Sequence, residues 1–424
     1  MPKFHIWTIG CQMNKAESAE ITAHLAQMGY EATSKLKEAD LVVLNTCVVR
    51  QAAEEKVLGT LGYLKGMKTT NSDLHILVTG CFVNPKVEAL RAQFPYVNLF
   101  FRPEDYSELA RWLQNQSGNK ELVASLSAQK AKPTAFVPII QGCNNFCSYC
   151  IVPYRRGREK SRPIEDIICE VQRLATLGVK EVTLLGQNVN SYGRDLLTRP
   201  TLSSLLVELN NIDGLARIRF LTNHPKDMDQ DLVEAISRLD KVCKHITLPI
   251  QSGDDGILRA MRRGYTAEQY RNLVQTIRNH VPGIALSTDV IVGFPGETEE
   301  QFGQTLDLLE EIRFDVVHIA SYSPRAGTIA ARKYDDGVTA EIKKDRFNRL
   351  EAVNERIAGE INSGFLGKTV EVLVEGVKGG KYYGRTRGDK LVFFESGKDC
   401  TGQLLSIEIT TTSPWALQGF IRHA

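Results

Sequence analysis

The sequence predicts an α/β protein in three parts: a parallel α/β domain over 1–120, a partial (β/α)6 TIM-like barrel with a long trailing helix over 134–363, and a small all-β barrel over 364–424. Three observations carry that expectation. Apolar strands alternate with helical stretches up to residue 113 and again from 134 to 335, the pattern of βαβ units on a parallel sheet. Residues 365–424 instead alternate apolar and polar positions split by Gly, as a small β-barrel does. Between the first two parts runs "QSGNKELVASLSAQKAKP", residues 116–133, polar and without period, which reads as a linker.

In chain order, "KFHIWTIG", "DLVVLNTC" and "LHILVTGC" are strands. Each precedes a helix: "KAESAEITAHLAQMG" ending at Gly29, "AAEEKVLGTLGYLKGM", and "NPKVEALRAQF" opening with Pro85. Runs such as "LVVL", apolar on both faces, suit a sheet covered on both sides. The middle part offers six strands, "AFVPII", "EVTLLG", "RIRFLT", "HITLPI", "LSTDVIVGF" and "VVHIASY". Six strand–helix units fit a partial barrel, with an open doubly wound sheet as the competing topology. Residues 338–363 follow as a helix in which Ile342, Phe347, Leu350, Val353, Ile357 and Ile361 recur near helical spacing, ended by Gly364. "KTVEVLVEGV", "KYYGRTR", "KLVFFES" and "QLLSIEITTTS" belong to a barrel of about five strands.

Composition excludes little. Of 424 residues, 42% are hydrophobic and 24% charged, with a formal net charge of +2, so local charge matters more than global. No run of about 18 apolar residues suggests a membrane span. "MPKFHIWTIG" reads as a strand and not a signal peptide, so a cytoplasmic location is expected. Nine cysteines in such a chain point to metal or redox chemistry and not to disulfides.

Cys143, Cys147 and Cys150 are spaced C-x3-C-x2-C directly after the first barrel strand. Zinc is one reading, but structural zinc wants four closed ligands, and the next cysteine, Cys169, falls inside an expected helix. Three thiolates on a four-iron cubane leave one iron open. Cys11, Cys47 and Cys81 lie 36 and 34 residues apart, each just past a strand. One βαβ step takes about 30 residues, so the three can converge at one sheet edge, where α/β proteins bind ligands. The competing reading is three ordinary buried cysteines.

With Tyr149 before its last cysteine, the first motif resembles the signature of the radical S-adenosylmethionine superfamily. There the cofactor's amino and carboxylate groups hold the fourth iron, and electron transfer yields a 5′-deoxyadenosyl radical. "GCQMN", "NTCVVRQAAEEKVLGTLG", "GCNNFCSYCIVPYRRGREKSRP", "LLGQNVNSYG", "QSGDDGILRAMRRGYT", "DVIVGFPGET" and "YSPRAGT" together resemble the methylthiotransferase family over essentially the whole chain. The resemblance implies two 4Fe–4S clusters, one on Cys143, Cys147 and Cys150 and one on Cys11, Cys47 and Cys81, and two molecules of S-adenosylmethionine. It implies attachment of a methylthio group to the second ring carbon of an isopentenylated adenosine beside the tRNA anticodon. "CQMN" and "VRQAAEEKVLG" favour that branch; the alternatives are the branches acting on threonylcarbamoyladenosine tRNA or a ribosomal protein. An alternative of another class is a zinc-dependent RNA-binding protein. Asp254, for a more usual small polar residue, and Ala326, where proline is common, depart from the family pattern.

Cofactor contacts are expected at barrel strand ends, from Tyr149, Gln187, Asn188, Gln251 and Asp289, although the two adjacent amides also suit a loop network. Gly293 and Gly296 admit close backbone approach or simply mark a turn. "YRRGREKSR" and "KGGKYYGRTRGDK" each hold five basic residues and one acid. Arg155, Arg156 and Arg158, and Lys381, Tyr382, Arg385 and Arg387 in a module that looks like a TRAM domain, are the expected tRNA contacts. The first three also suit pairing with Glu159 or other acids. Cys169, Cys243 and Cys400, and His5, His224 and His318, are read as structural. The expected partners are the anticodon stem-loop and an electron donor such as flavodoxin or ferredoxin, with the chain acting as a monomer.

Overall fold

The computed structural model describes residues 1–49, 51–83, 87–103, 105–117 and 132–422. Most of the linker reading at 116–133, and the helix start at Pro85, lie outside them. The chain divides into two compact units. One holds the described residues of Met1–Lys130 with Cys150–Gly157; the other holds those of Ala131–Tyr149 and Arg158–Ala424.

The first unit is a five-stranded parallel sheet, β1 (Lys3–Thr8), β2 (Glu31–Ala32), β3 (Leu41–Thr46), β4 (His75–Gly80) and β5 (Leu99–Phe100), in the order β2-β1-β3-β4-β5. Helices α1 (Gln12–Gln27), α2 (Gln51–Thr70), α3 (Val87–Gln93) and α4 (Ser107–Ser117) connect or follow the strands. Every residue of β3 is buried, because successive side chains alternate faces and both faces are covered. Val42 and Leu44 pack with Val57, Leu61 and Leu64 of α2, whereas Leu41 and Val43 pack with Ile21 and Leu25 of α1 and Leu109 and Leu113 of α4. Burying each such side chain stabilises the unit by about 1.5–3 kcal/mol. The strand order reverses between β1 and β3, and the crevice at such a reversal is where open α/β sheets bind ligands. The segment Cys150–Gly157, with the short helix α5 (Val152–Arg156), belongs with this unit and not with the barrel domain expected from sequence.

In the second unit the six expected strands form in sequence order. These are β6 (Thr134–Pro138), β9 (Glu181–Leu185) and β10 (Arg217–Phe220), then β11 (His245–Thr247), β12 (Ala285–Val292) and β13 (Val316–Ser321). Each group of three is parallel, and the groups join through a parallel bridge from Ile218 to Val242. A doubly wound sheet would reverse its order; this one does not, so the partial barrel stands. β7 (Ile140–Gln141) and β8 (Lys160–Ser161) form a small antiparallel pair. α6 (Ile164–Thr176), α7 (Leu202–Asn210), α8 (Gln230–Arg238), α9 (Asp255–Ala260), α10 (Ala267–His280), α11 (Glu299–Ile312) and α12 (Ile329–Lys333) complete the domain, with α13 (Ala340–Ser363) after them. Along α13 the expected apolar stripe is only partly right. Ile342 is exposed and Asn354 is buried, because the Asn354 amide closes the open edge of β13, accepting from the Val317 N–H at 3.0 Å.

β14 (Thr369–Lys378), β15 (Lys381–Thr386), β16 (Leu391–Phe394), β17 (Leu404–Thr412) and β18 (Leu417–Ile421) close into the small barrel, consistent with a TRAM-like module. It shares a unit with the larger barrel because buried arginines tie the two. Arg217 Nη1 donates to the Arg385 carbonyl at 2.7 Å and Nη2 to Glu371 Oε1 at 2.8 Å. Arg219 pairs with Glu181 at 3.1 Å and reaches the Thr386 carbonyl. Among the described residues no helix is long and apolar enough to cross a membrane.

Candidate functional site

In the first unit, Cys11, Cys47 and Cys81 follow β1, β3 and β4, three neighbouring strands of one parallel sheet. Two glycines make that convergence possible. Gly10 has φ +147°, and a Cβ there would lie 2.2 Å from Asn14 Oδ1 and 2.7 Å from the Cys47 Cβ. Gly80 has φ +91°, and its Cβ would lie 2.2 Å from the Thr46 carbonyl oxygen. A polar network locks the strand ends. The fully buried Asn14 donates from Nδ2 to Asn45 Oδ1 at 2.9 Å and to the Thr46 carbonyl at 3.0 Å. Its Oδ1 accepts from the Cys11 N–H at 3.2 Å. Asn45 Nδ2 returns a bond to the Asn14 carbonyl at 2.8 Å.

Cys47 and Cys81 are buried, and Cys11 is exposed. The hydrogen bond from Cys47 holds Cys81 below the ordinary thiol range despite burial, with help from the Arg156 guanidinium. Cys47, keeping the shared proton and buried, is pushed up. Arg156 Nε donates to Cys81 Sγ at 3.1 Å, and its Nη1 is ion-paired with the buried Glu17. Arg156 is therefore not available as an RNA contact, which corrects the sequence expectation. Glu159, within the second unit, accepts from the Asn144 N–H at 3.2 Å.

In the second unit, Cys143, Cys147 and Tyr149 lie on the loop after β7, at the C-terminal end of the first barrel strand; Cys150 opens the segment that belongs with the first unit. Burial pushes the Cys143 thiol up to about 11. The loop is pinned from several sides. Gln187 Oε1 accepts from the Gly142 N–H at 2.6 Å, the Ser148 N–H donates to the Met261 carbonyl at 2.9 Å, and Arg158 lies 4.5 Å over the Phe146 ring. The buried Arg263 donates from Nη1 to Cys147 Sγ at 3.3 Å and to the Tyr149 hydroxyl at 3.4 Å.

The remaining expected contacts divide. Gln187 is engaged by the loop backbone. Asn188 is buried, donates to Asp227 Oδ2 at 2.8 Å, and keeps its Oδ1 without a partner. Gln251 is buried in the left-handed region at φ +75°; such strain collects at functional sites. Asp289 lies in the body of β12, half-buried, and not at its end. In the small barrel, the half-buried Lys381 donates to Gln418 Oε1 at 3.3 Å and lies 3.8 Å from Glu395, Tyr382 stacks on the core residue Phe394, and Arg385 pairs with Glu375 at 3.6 Å and Asp389 at 3.4 Å. Arg387 Nη2 donates to the Asp240 and Val242 carbonyls, so it ties the barrels together and is not a free RNA contact.

The donor set fits iron–sulfur clusters. Soft thiolates suit iron, none of the nine cysteines is in a disulfide, and both motifs meet a buried arginine that balances anionic sulfur. Among the described residues no three His, Cys, Asp or Glu side chains are gathered as a single-ion site requires. At the strand ends of the larger barrel, the buried Asn188 Oδ1, Asn223 Oδ1 and His224 Nε2 lack partners among the described residues, which fits a polar ligand there. A polar recess of about 350 Å³ opens nearby, its lining including the carboxylates of Glu159, Asp195 and Asp227 and the cations of Arg194 and Lys226. Sequence reasoning missed Asn14, Glu17 and Arg263; Arg263 stood in the quoted "RAMRRGYT" but was assigned no role.

The Radical SAM superfamily matches residues 137–309, and a family described as Uncharacterized protein family UPF0004 matches residues 3–102. A curated tRNA-2-methylthio-N(6)-dimethylallyladenosine synthase of Dehalococcoides mccartyi strain CBDB1 is 47% identical over 99% of this chain and 98% of its own length. The synthase of that name from Chloroflexus aurantiacus is 46% identical, over 98% of this chain and 91% of its length. The Dictyoglomus thermophilum synthase is also 46% identical, over 99% and 98%. Among solved structures, the radical S-adenosylmethionine methyltransferase TsrM from Kitasatospora setae, with cobalamin and a [4Fe-4S] cluster bound, superposes with a TM-score of 0.56 at 15% identity. It covers 78% of this chain and 74% of its own; that likeness concerns the fold alone.

Proposed function

The chain belongs to the methylthiotransferase family of radical S-adenosylmethionine enzymes, and from that premise we propose how its own residues divide the work. It is a tRNA methylthiotransferase that inserts a methylthio group at C-2 of N(6)-dimethylallyladenosine next to the anticodon. The target carbon is unactivated, so acid–base chemistry does not reach it, and the hard step falls to cofactors that the protein positions. When bound, two 4Fe–4S clusters and S-adenosylmethionine supply the electron, the carbon radical and the sulfur.

Cys143, Cys147 and Cys150 would hold one cluster, and Cys11, Cys47 and Cys81 would hold the other. Arg263 orients Cys147 and Tyr149, and Gln187 fixes the loop by its backbone. Asn188, whose Oδ1 has no partner among the described residues, and Gln251, in its strained backbone, would bind the cofactor's polar groups; Tyr149 and Asp289 would complete the contacts. Arg155, Arg158 and Lys381 neutralise tRNA phosphates, with Tyr382 and Arg385 beside them. The enzyme is a cytoplasmic monomer fed by a flavodoxin- or ferredoxin-like electron donor.

The observation that carries this division is the pair of three-cysteine sets, one at the ends of three parallel strands and one on the loop after β7, each touched by a buried arginine. Nucleoside analysis of tRNA from a deletion strain tests the activity. The 2-methylthio nucleoside should vanish and its isopentenylated precursor accumulate; persistence of the methylthio nucleoside, with no paralogue present, overturns the assignment.

A further inference from the structure

We propose that Arg156, clamped by Glu17, is the positioning residue of the centre formed by Cys11, Cys47 and Cys81, and that it keeps one N–H donor for a sulfur anion that is not a cysteine. The proposal rests on the reading of those cysteines as cluster ligands. The side chains of Arg156 and Glu17 are only 3% and 6% exposed. Nε points at Cys81 Sγ at 3.1 Å, Nη1 is committed to Glu17, and the buried Nη2 has no partner among the described residues.

A buried ion pair seldom repays its desolvation by stability alone, and a buried charged donor left unpaired is rarer still. The arrangement makes sense if the guanidinium serves an anion beside Cys81. Thiolates and sulfides concentrate negative charge, N–H···S bonds to them raise the reduction potential, and partners outside the ligands orient them. Glu17 then fixes the arginine so that its remaining edge faces the sulfur. A lysine could supply charge here, but not the fixed fork of donors.

The test uses the full chain carrying Cys143→Ala, Cys147→Ala and Cys150→Ala, so that all bound cluster belongs to the remaining triad. After anaerobic reconstitution this parent should hold about four irons and four sulfides. It is compared with the same chain carrying Glu17→Gln and Arg156→Gln together, which leaves no buried charge unpaired, and with Arg156→Lys. The double variant should fold, show a lower cluster potential, and lose iron to a chelator about tenfold faster or more. Hydrosulfide should perturb the reduced cluster's electron paramagnetic resonance signal in the parent at about tenfold lower concentration than in the double variant, the worth of one charge-assisted hydrogen bond. Arg156→Lys should fall between them.

Unchanged potential, iron release and hydrosulfide response in the double variant overturn the proposal. If the double variant does not fold, the same unchanged values in Arg156→Lys overturn it. A parent that takes up no iron and sulfide overturns the reading of the triad itself, and this proposal with it.

Discussion

Cys143, Cys147 and Cys150 fall within eight residues of chain, whereas Cys11, Cys47 and Cys81 come from three strand ends 36 and 34 residues apart. The loop set needs only a pinned loop, its backbone held by Gln187 and Met261 and its Cys147 side chain by Arg263. The dispersed set needs a whole sheet in register, two glycines that admit close approach, and a buried amide network from Asn14 to Asn45. A contiguous motif therefore advertises its chemistry, while a dispersed one hides it in topology and is exposed to any change that shifts a strand.

That contrast breaks most completely at the loop. Cys147→Ala should abolish both cofactor cleavage and methylthio insertion, and lower iron from about eight to about four per chain; anaerobic iron and sulfide analysis beside product assays checks it. Zinc without labile sulfide in the unmutated chain would sink the account for both triads. Gly80→Ala attacks the dispersed set through the backbone. A Cβ at φ +91° and 2.2 Å from a carbonyl oxygen should cost about 3 kcal/mol, read by urea unfolding, and release the N-terminal cluster while the loop cluster stays. Asn14→Ala, which removes the buried amide joining α1 to β3, should cost about 2 kcal/mol and show the same selective iron loss in milder form.

Acid sharpens the contrast from the barrel side. Burial pushes His224 down to about 2, with Arg263 adding to it, and His245 down to about 4. Both are neutral when folded, while the unfolded chain takes up their protons below about 6.5. Stability is thus full above that pH and falls as pH drops toward the folded values. His224→Asn should flatten the acid limb by about 1 kcal/mol per pH unit, measured by urea midpoints from pH 7 to 4. The smallest effect belongs to Lys381→Ala: tRNA affinity should weaken modestly, with the salt slope reduced by about one, by filter binding across a salt series.

Much of the fold was legible because it is periodic. The six barrel strands and the helix to Gly364 follow from patterns that burial imposes on one segment at a time. The two-residue edge strands β2 and β5 are too short to show a period, and the five residues of β18, "LQGFI", do not alternate cleanly. In the candidate site, cysteine spacing was readable. The buried arginines were not: Arg156 and Glu17 are 139 residues apart and Arg263 and Cys147 are 116 apart, and nothing local distinguishes a basic residue bound for a core from one bound for RNA. Hence "YRRGREKSR" read as one nucleic-acid stripe, when Arg156 turns inward and Arg158 lies over Phe146.

The division of labour between the triads is tested most directly by one variant. Cys11→Ala, reconstituted anaerobically and assayed with dithionite for 5′-deoxyadenosine and for methylthiolated tRNA, should cleave the cofactor at close to the unmutated rate while forming no methylthio product. A folded Cys11→Ala chain that keeps its loop cluster yet cleaves no cofactor would contradict it.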